Sequence, residues 1–188
     1  MLVESEIAGA YRGLILAAGE DPGRDGLIET PARAARAWKE LTSGYSADPK
    51  LTTFPAEGAD QIVALRDISF FSLCEHHLLP FYGHAHIAYL PGDRILGLSK
   101  FARVVDAFAR RLQVQERLTQ EIADRLQEAL APAGLLVVLE AEHLCMAMRG
   151  VQRIGSRTRT SFASGVFRTT PEARQEAFSL LGLRTGGT

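Results

Sequence analysis

Apolar residues recur at near-helical spacing at Val3, Ile7, Tyr11 and Leu14, which predicts a first helix closed by the Gly and Asp-Pro-Gly punctuation between Gly19 and Gly23. A second helix is marked by Thr30 as its cap and by Pro31 at the first helical position, where a missing N–H costs nothing. Its apolar edge runs through Ala34, Trp38 and Leu41. The stretch from Thr42 to Gly58, broken by Gly44, Pro49, Pro55 and Gly58, reads as a loop. It ties an N-terminal helical extension, residues 1–58, to a main domain over residues 59–188. From Gln61 to Leu98 the pattern shifts to short runs rich in Val, Ile and Phe, broken at Pro91-Gly92-Asp93, as antiparallel strands require. Ser99 then caps a helix with the stripe Phe101, Val104, Val105, Phe108 and Leu112, and Leu118, Ile122, Leu126 and Leu130 mark another. Pro132 and Gly134 end that pair, LLVVLEAEH and TRTSFASGVF supply two more strands, and Pro171 opens a short last helix. The order strand, strand, helix, helix, strand, strand is that of an α+β domain, and only Thr185 to Thr188 has the composition of a disordered end.

Composition narrows the function. At 188 residues and 46% hydrophobic content the chain supports one well-buried core. A net charge of −1 provides no global positive field, so coating of nucleic acid or of an anionic membrane is not expected, and any anion site has to be local. No apolar run approaches the roughly 18–20 residues of a membrane span. Glu4 and Glu6 stand where a secretory signal carries basic residues, so a soluble cytoplasmic protein is expected. Two cysteines make no disulfide framework, and near histidines in a reducing compartment such a pair is more often metal-binding or catalytic.

Cys74-Glu75-His76-His77 sets a thiolate and an imidazole three residues apart, within reach of one ion over a single turn of chain. Cys145 is the candidate third ligand. Alternation along a strand ending there puts Leu139, Ala141, His143 and Cys145 on one face, with His143 beside the metal. Two thiolates and an imidazole favour zinc over the oxygen-seeking magnesium or calcium, and three protein ligands leave a fourth position for a water acidified to a pKa of about 7. The competing readings are buried core cysteines with histidines that satisfy hydrogen bonds, and a Cys74–Cys145 disulfide. His84 and His86 alternate with apolar residues and are assigned no function.

Arg33 and Arg36, and again Lys100 and Arg103, lie three apart on helices, so each pair faces one way, and Arg149 follows shortly after Cys145. Guanidinium groups and helix N-termini suit phosphate, although basic residues at this spacing also occur as ordinary solvated surface. Gln115 and Glu116 open a helix. A carboxylate there complements the helix dipole, and it is also the natural acceptor for the N1–H and 2-amino donors of guanine, which adenine lacks.

CEHHLLPF, ILGLSKFARVVDAFARRLQVQERLT, EAEHLCMAMRGV and TSFASGVF, with GLIETPARAARAW before them, together closely resemble the type I GTP cyclohydrolase family. The likeness runs in the family's order from about Gly26 to Phe167. It implies conversion of GTP and water to formate and 7,8-dihydroneopterin triphosphate, which begins folate and other pterin synthesis. It implies zinc on Cys74, His77 and Cys145, with His76 and His143 as catalytic histidines beside a zinc water that attacks C8 of the purine. His76 is the expected proton donor to N7, and Ser99 and His143 handle protons in the later rearrangement. Gln115 and Glu116 match the family's guanine anchors, and Lys100, Arg103 and Arg149 its triphosphate contacts. Arg33 and Arg36 match basic positions that reach a neighbouring subunit's site, the position of Arg36 being lysine in some relatives.

The implied architecture is the tunnelling fold, in which antiparallel sheets join edge to edge, as a homodecamer of two five-membered rings. No long N-terminal extension of the kind found in regulated relatives is evident, so feedback through such a segment is not expected. Two other readings stay open. One is a related tunnelling-fold activity on a pterin or deazapurine, with Cys74 as a nucleophile; the other is a nucleotide-binding scaffold with a four-ligand structural zinc.

Overall fold

A computed structural model describes residues 4–183, so Val3 of the first expected helix and the Gly-rich end fall outside the described residues. The chain divides into two compact units, the first ending at Ser43 and the second beginning at Gly44. In the first, α1 (Glu4–Ala17) and α2 (Thr30–Leu41) pack on each other, with Lys39 Nζ 3.3 Å and Arg36 Nη1 3.9 Å from the Glu4 carboxylate. These exposed pairs contribute about 0–1 kcal/mol each. The cap of α2 is Glu29 rather than Thr30. Glu29 already has helical angles and its carbonyl accepts from Arg33 N, so Thr30 is the first helical residue.

The second unit runs β1 (Thr53–Pro55), β2 (Val63–Cys74), β3 (Pro80–Leu90), β4 (Arg94–Leu96), α3 (Leu98–Ala109), β5 (Leu112–Gln113), α4 (Gln115–Leu130), β6 (Gly134–His143), α5 (Leu144–Ala147), β7 (Arg157–Gly165), α6 (Val166–Thr169) and α7 (Pro171–Leu180). It is a mixed α+β arrangement. Five strands form one sheet in the order β5-β2-β3-β6-β7, antiparallel except for the parallel β2–β5 pair. Alternation sends Phe81, Ala85, Ile87 and Tyr89 of β3 and Leu135, Val137, Leu139 and Ala141 of β6 to the face covered by α3 and α4. There they meet Phe101, Val104, Val105, Leu118, Ile122 and Leu126, all fully buried, each large apolar side chain contributing about 1.5–3 kcal/mol. The opposite face of β6, with Leu136 and Val138, is covered by Phe167, Ala177 and Leu181, which explains its unbroken apolar run. Between β3 and β6 the backbones approach so closely that a Cβ at Gly83 would fall 1.8 Å from Glu140 O, so this register requires glycine.

Four local expectations change. Helix α3 is capped by Gly97, with Ser99 inside its first turn, because the Gly97 carbonyl already accepts from Lys100 N. Leu112 leaves the helical stripe for β5. Arg111 causes this: its Nε donates to Ala107 O and Gly44 O, its carbonyl accepts from Leu73 N, and the chain is thereby laid beside β2. The Pro91–Asp93 turn leads into β4, which pairs with β1 rather than β3. Cys145 lies not on a strand but in the helical turn α5, because β6 ends at His143.

His86 is buried in a polar pocket on β3. A bulge in β2 puts Asp67 at φ 59°, from where its N–H donates to His86 Nδ1 at 3.3 Å, and His86 Nε2 lies 3.8 Å from Glu140 Oε2. Burial pushes its pKa below the ordinary histidine value, outweighing Asp67 and Glu140, which favour the cation, while His84 and Arg159 oppose it. The stability that neutral His86 contributes is therefore full above about pH 6.5 and is lost as pH falls below that. In urea melts at pH 7.5 and 5.5, His86→Gln is expected to narrow the stability difference shown by the wild type. An unchanged difference would assign the acid sensitivity elsewhere.

Candidate active site and metal centre

The turn between β2 and β3 is built around Cys74. Its N–H donates to Leu79 O at 2.8 Å, and its carbonyl accepts from His77 N at 3.2 Å and Leu78 N at 2.8 Å, which curls the histidines back over the thiol. Leu78 takes a left-handed φ of 55° to close the turn, a conformation costing of order 1–3 kcal/mol. Cys74 Sγ consequently lies 3.7 Å from His77 Nδ1 and 3.8 Å from His76 Nδ1. The parallel β5 strand pairs Gln113 with Cys74, and Glu75 N donates to Gln113 O, so α4 begins beside the turn. Arg117 of α4 then grips Glu75 with two bonds of 2.7 and 2.9 Å, which holds the Glu75 carboxyl below the usual range.

The third donor arrives from β6. Turn α5 carries Cys145 back toward the β2–β3 turn, and the ligand atoms of Cys74, His77 and Cys145 all lie within 4.8 Å of one another. A tetrahedral ion with bonds of about 2.0–2.3 Å needs donors roughly 3.5 Å apart, so the three fit one ion after a small contraction. Both cysteines are free thiols. Burial pushes the Cys145 thiol up, neighbouring Cys74 adds to this, and Arg149 opposes it. A divalent cation reverses that balance by binding thiolate, and this donor set suits a borderline-soft ion.

His143, the last residue of β6, pairs across the sheet with Phe81, and the rings stack at 4.7 Å and 5°. Its Nε2 bonds Gln115 Oε1 at 2.9 Å. Burial lowers the His143 pKa, and the charge of nearby Glu116 opposes the shift. Glu116 is exposed on the first turn of α4, whereas Gln115 is buried. Arg149 is exposed just beyond α5. Ser99, Lys100 and Arg103 occupy the first two turns of α3, and Arg33 and Arg36 are exposed on α2 in the separate first unit.

Two positioning features escaped the sequence reading: the Glu75–Arg117 clamp and the Phe81 ring under His143. Glu75 and Phe81 both lie within CEHHLLPF, but neither partner follows from local spacing.

Among the described residues, Cys74, His77 and Cys145 form a three-donor group that could hold a metal ion, a donor set of the kind used by hydrolases. The profile of the GTP cyclohydrolase I family matches residues 7–182. GTP cyclohydrolase 1 of Deinococcus radiodurans is 54% identical over 172 residues, covering 89% of this chain and 79% of the relative. The Chlorobium chlorochromatii protein of the same name is 51% identical over 183 residues, covering 96% and 82%. Among solved structures, apo archaeosine synthase QueF-Like aligns at a TM-score of 0.47 and 19% identity, over 55% of this chain and 93% of that one. The chain belongs to the GTP cyclohydrolase I family. Among the described residues no helix is long and apolar enough to cross a membrane.

Proposed function

We propose that this chain opens the imidazole ring of GTP by hydrolysis, releasing formate and yielding 7,8-dihydroneopterin triphosphate, the first step of folate and pterin synthesis, in the cytoplasm. The observation that carries the reading is the convergence of Cys74, His77 and Cys145 in a member of this family, with His143 two residues before Cys145 and Glu116 near His143. Cys74, His77 and Cys145 would hold the metal, and two thiolates with one imidazole suit zinc. When bound, the metal supplies Lewis acidity and acidifies a water at neutral pH.

The remaining work belongs to the side chains. Glu116, exposed at the start of α4, accepts the N1–H and 2-amino hydrogens of guanine, which fixes the orientation of the base. His76, exposed in the β2–β3 turn with Nδ1 3.8 Å from Cys74 Sγ, donates a proton to N7 as the C8–N bond breaks. His143 and Ser99 move protons during sugar rearrangement and closure of the pterin ring. Lys100, Arg103 and Arg149 neutralise the triphosphate, which agrees with the exposure of Arg103 and Arg149 and with the position of Lys100 in the first turn of α3.

The architecture we propose is the tunnelling fold assembled as a homodecamer, with Arg33 and Arg36 reaching the phosphates at a neighbouring subunit's site. In its support, β7 ends one side of the sheet and β2, paired with β5 only at Leu73 and Cys74, forms most of the other. Edge-to-edge closure satisfies both rows of backbone groups. Metal-loaded protein incubated with GTP is expected to release formate and, after oxidation, a fluorescent pterin. Assembled, zinc-loaded protein that gives neither would sink the proposal.

A further inference from the structure

Gln115 is only 1% exposed and lies behind His143 rather than in open solvent. Its Nε2 is 3.1 Å from Leu139 O, 3.0 Å from Thr158 O and 3.1 Å from Thr160 Oγ1. Two of these three are main-chain carbonyls, which only accept, so the amide nitrogen must face β6 and β7 and its oxygen must face His143. The hydroxyls agree. Thr119 Oγ1 donates to Gln115 O at 2.8 Å, so in the 2.6 Å contact between Thr119 and Thr160 the Thr160 hydroxyl is the donor. Thr160 therefore keeps a lone pair for the Gln115 amide. An amide oxygen cannot donate, and the bond to His143 forms only when Nε2 of the imidazole carries the hydrogen. The neutral ring then has its free lone pair on Nδ1, while Phe81 fixes the plane of the ring.

We infer that Gln115 is a positioning residue: it holds His143 as the Nε2–H tautomer with Nδ1 as the atom that accepts a proton, and its side chain does not contact guanine. The inference rests on the proton-handling role proposed for His143, and it departs from the guanine-anchor role that family resemblance implies for Gln115. Within the pair opening α4, Glu116 alone reads the base, and Gln115 sets the histidine.

The test has two arms. In metal-loaded wild-type protein labelled with 15N-histidine, with the His143 signals assigned by their loss in His143→Gln, solid-state spectra are expected to show the Nε2–H tautomer; an Nδ1–H tautomer overturns the inference. This arm needs no turnover, so it stands apart from whether GTP is the substrate, and it needs no Gln115 variant to fold. In the second arm, Gln115→Met is expected to lower kcat by about 10–100-fold with KM for GTP within about threefold of wild type, since ordering a proton-transfer group acts on the chemical step. A raised KM with unchanged kcat would return Gln115 to the guanine site, and unchanged values of both would equally overturn the inference.

Discussion

Cys145→Ala is expected to lose bound metal and to reduce GTP turnover by about a thousandfold or more, about 4 kcal/mol of transition-state stabilisation, while the domain stays folded. The separation of effects follows from the position of the residue. Cys145 sits half-buried in a four-residue helical turn at the end of β6, at the edge of the main core and outside the sheet ladder, so its truncation removes one sulfur and leaves the ladder intact. Cys74 is a poorer choice because it is buried in the main core and its backbone closes the β2–β3 turn. Metal analysis, turnover and circular dichroism on the same sample check the expectation. A variant with full metal content and full turnover would remove Cys145 from the site.

Glu116→Ala is expected to keep metal and assembly and to lose GTP recognition. Two charge-assisted hydrogen bonds to guanine, each contributing about 1.5–3 kcal/mol, correspond to a fall of about 10²–10⁴ in kcat/KM. The exposure of Glu116 on the first turn of α4 makes the substitution mild for the fold, and the domain's packing stripe on that helix, Leu118, Ile122 and Leu126, is untouched. Glu116→Gln keeps one acceptor and is expected to fall between. Unchanged affinity for GTP in Glu116→Ala would take the guanine role away from this residue.

How much of this is legible before folding depends on how local each feature is. The Cys74-x-x-His77 spacing describes its own turn, so the approach of thiol and imidazole follows from four residues. The helical stripe Leu118, Ile122, Leu126 and the apolar run of β6 are likewise local patterns with one physical outcome. Cys145 was readable as a soft donor, but not its place in α5, since a helix of one turn leaves no periodicity. Arg111 ends the α3 stripe through bonds to Gly44 and Ala107, and the pull of Gly44 is non-local.

Gln115 shows the same limit inside the site. Its amide is oriented by Leu139, Thr158 and Thr160, and these meet only because β6 and β7 pair Leu139 with Thr160 and Ala141 with Thr158. The stacking of Phe81 on His143 depends in the same way on the β3–β6 register. Residue type and spacing reveal which groups carry chemistry; strand register decides which of them face substrate and which stand behind.

On the proposed function, a three-donor metal site open to water serves GTP hydrolysis, and X-ray absorption at the edge of the bound metal in active protein reads its donor set. Two sulfur donors, one imidazole nitrogen and one non-protein oxygen are the result expected from Cys74, His77 and Cys145. A closed set of four protein donors would contradict it and would mark the metal as structural.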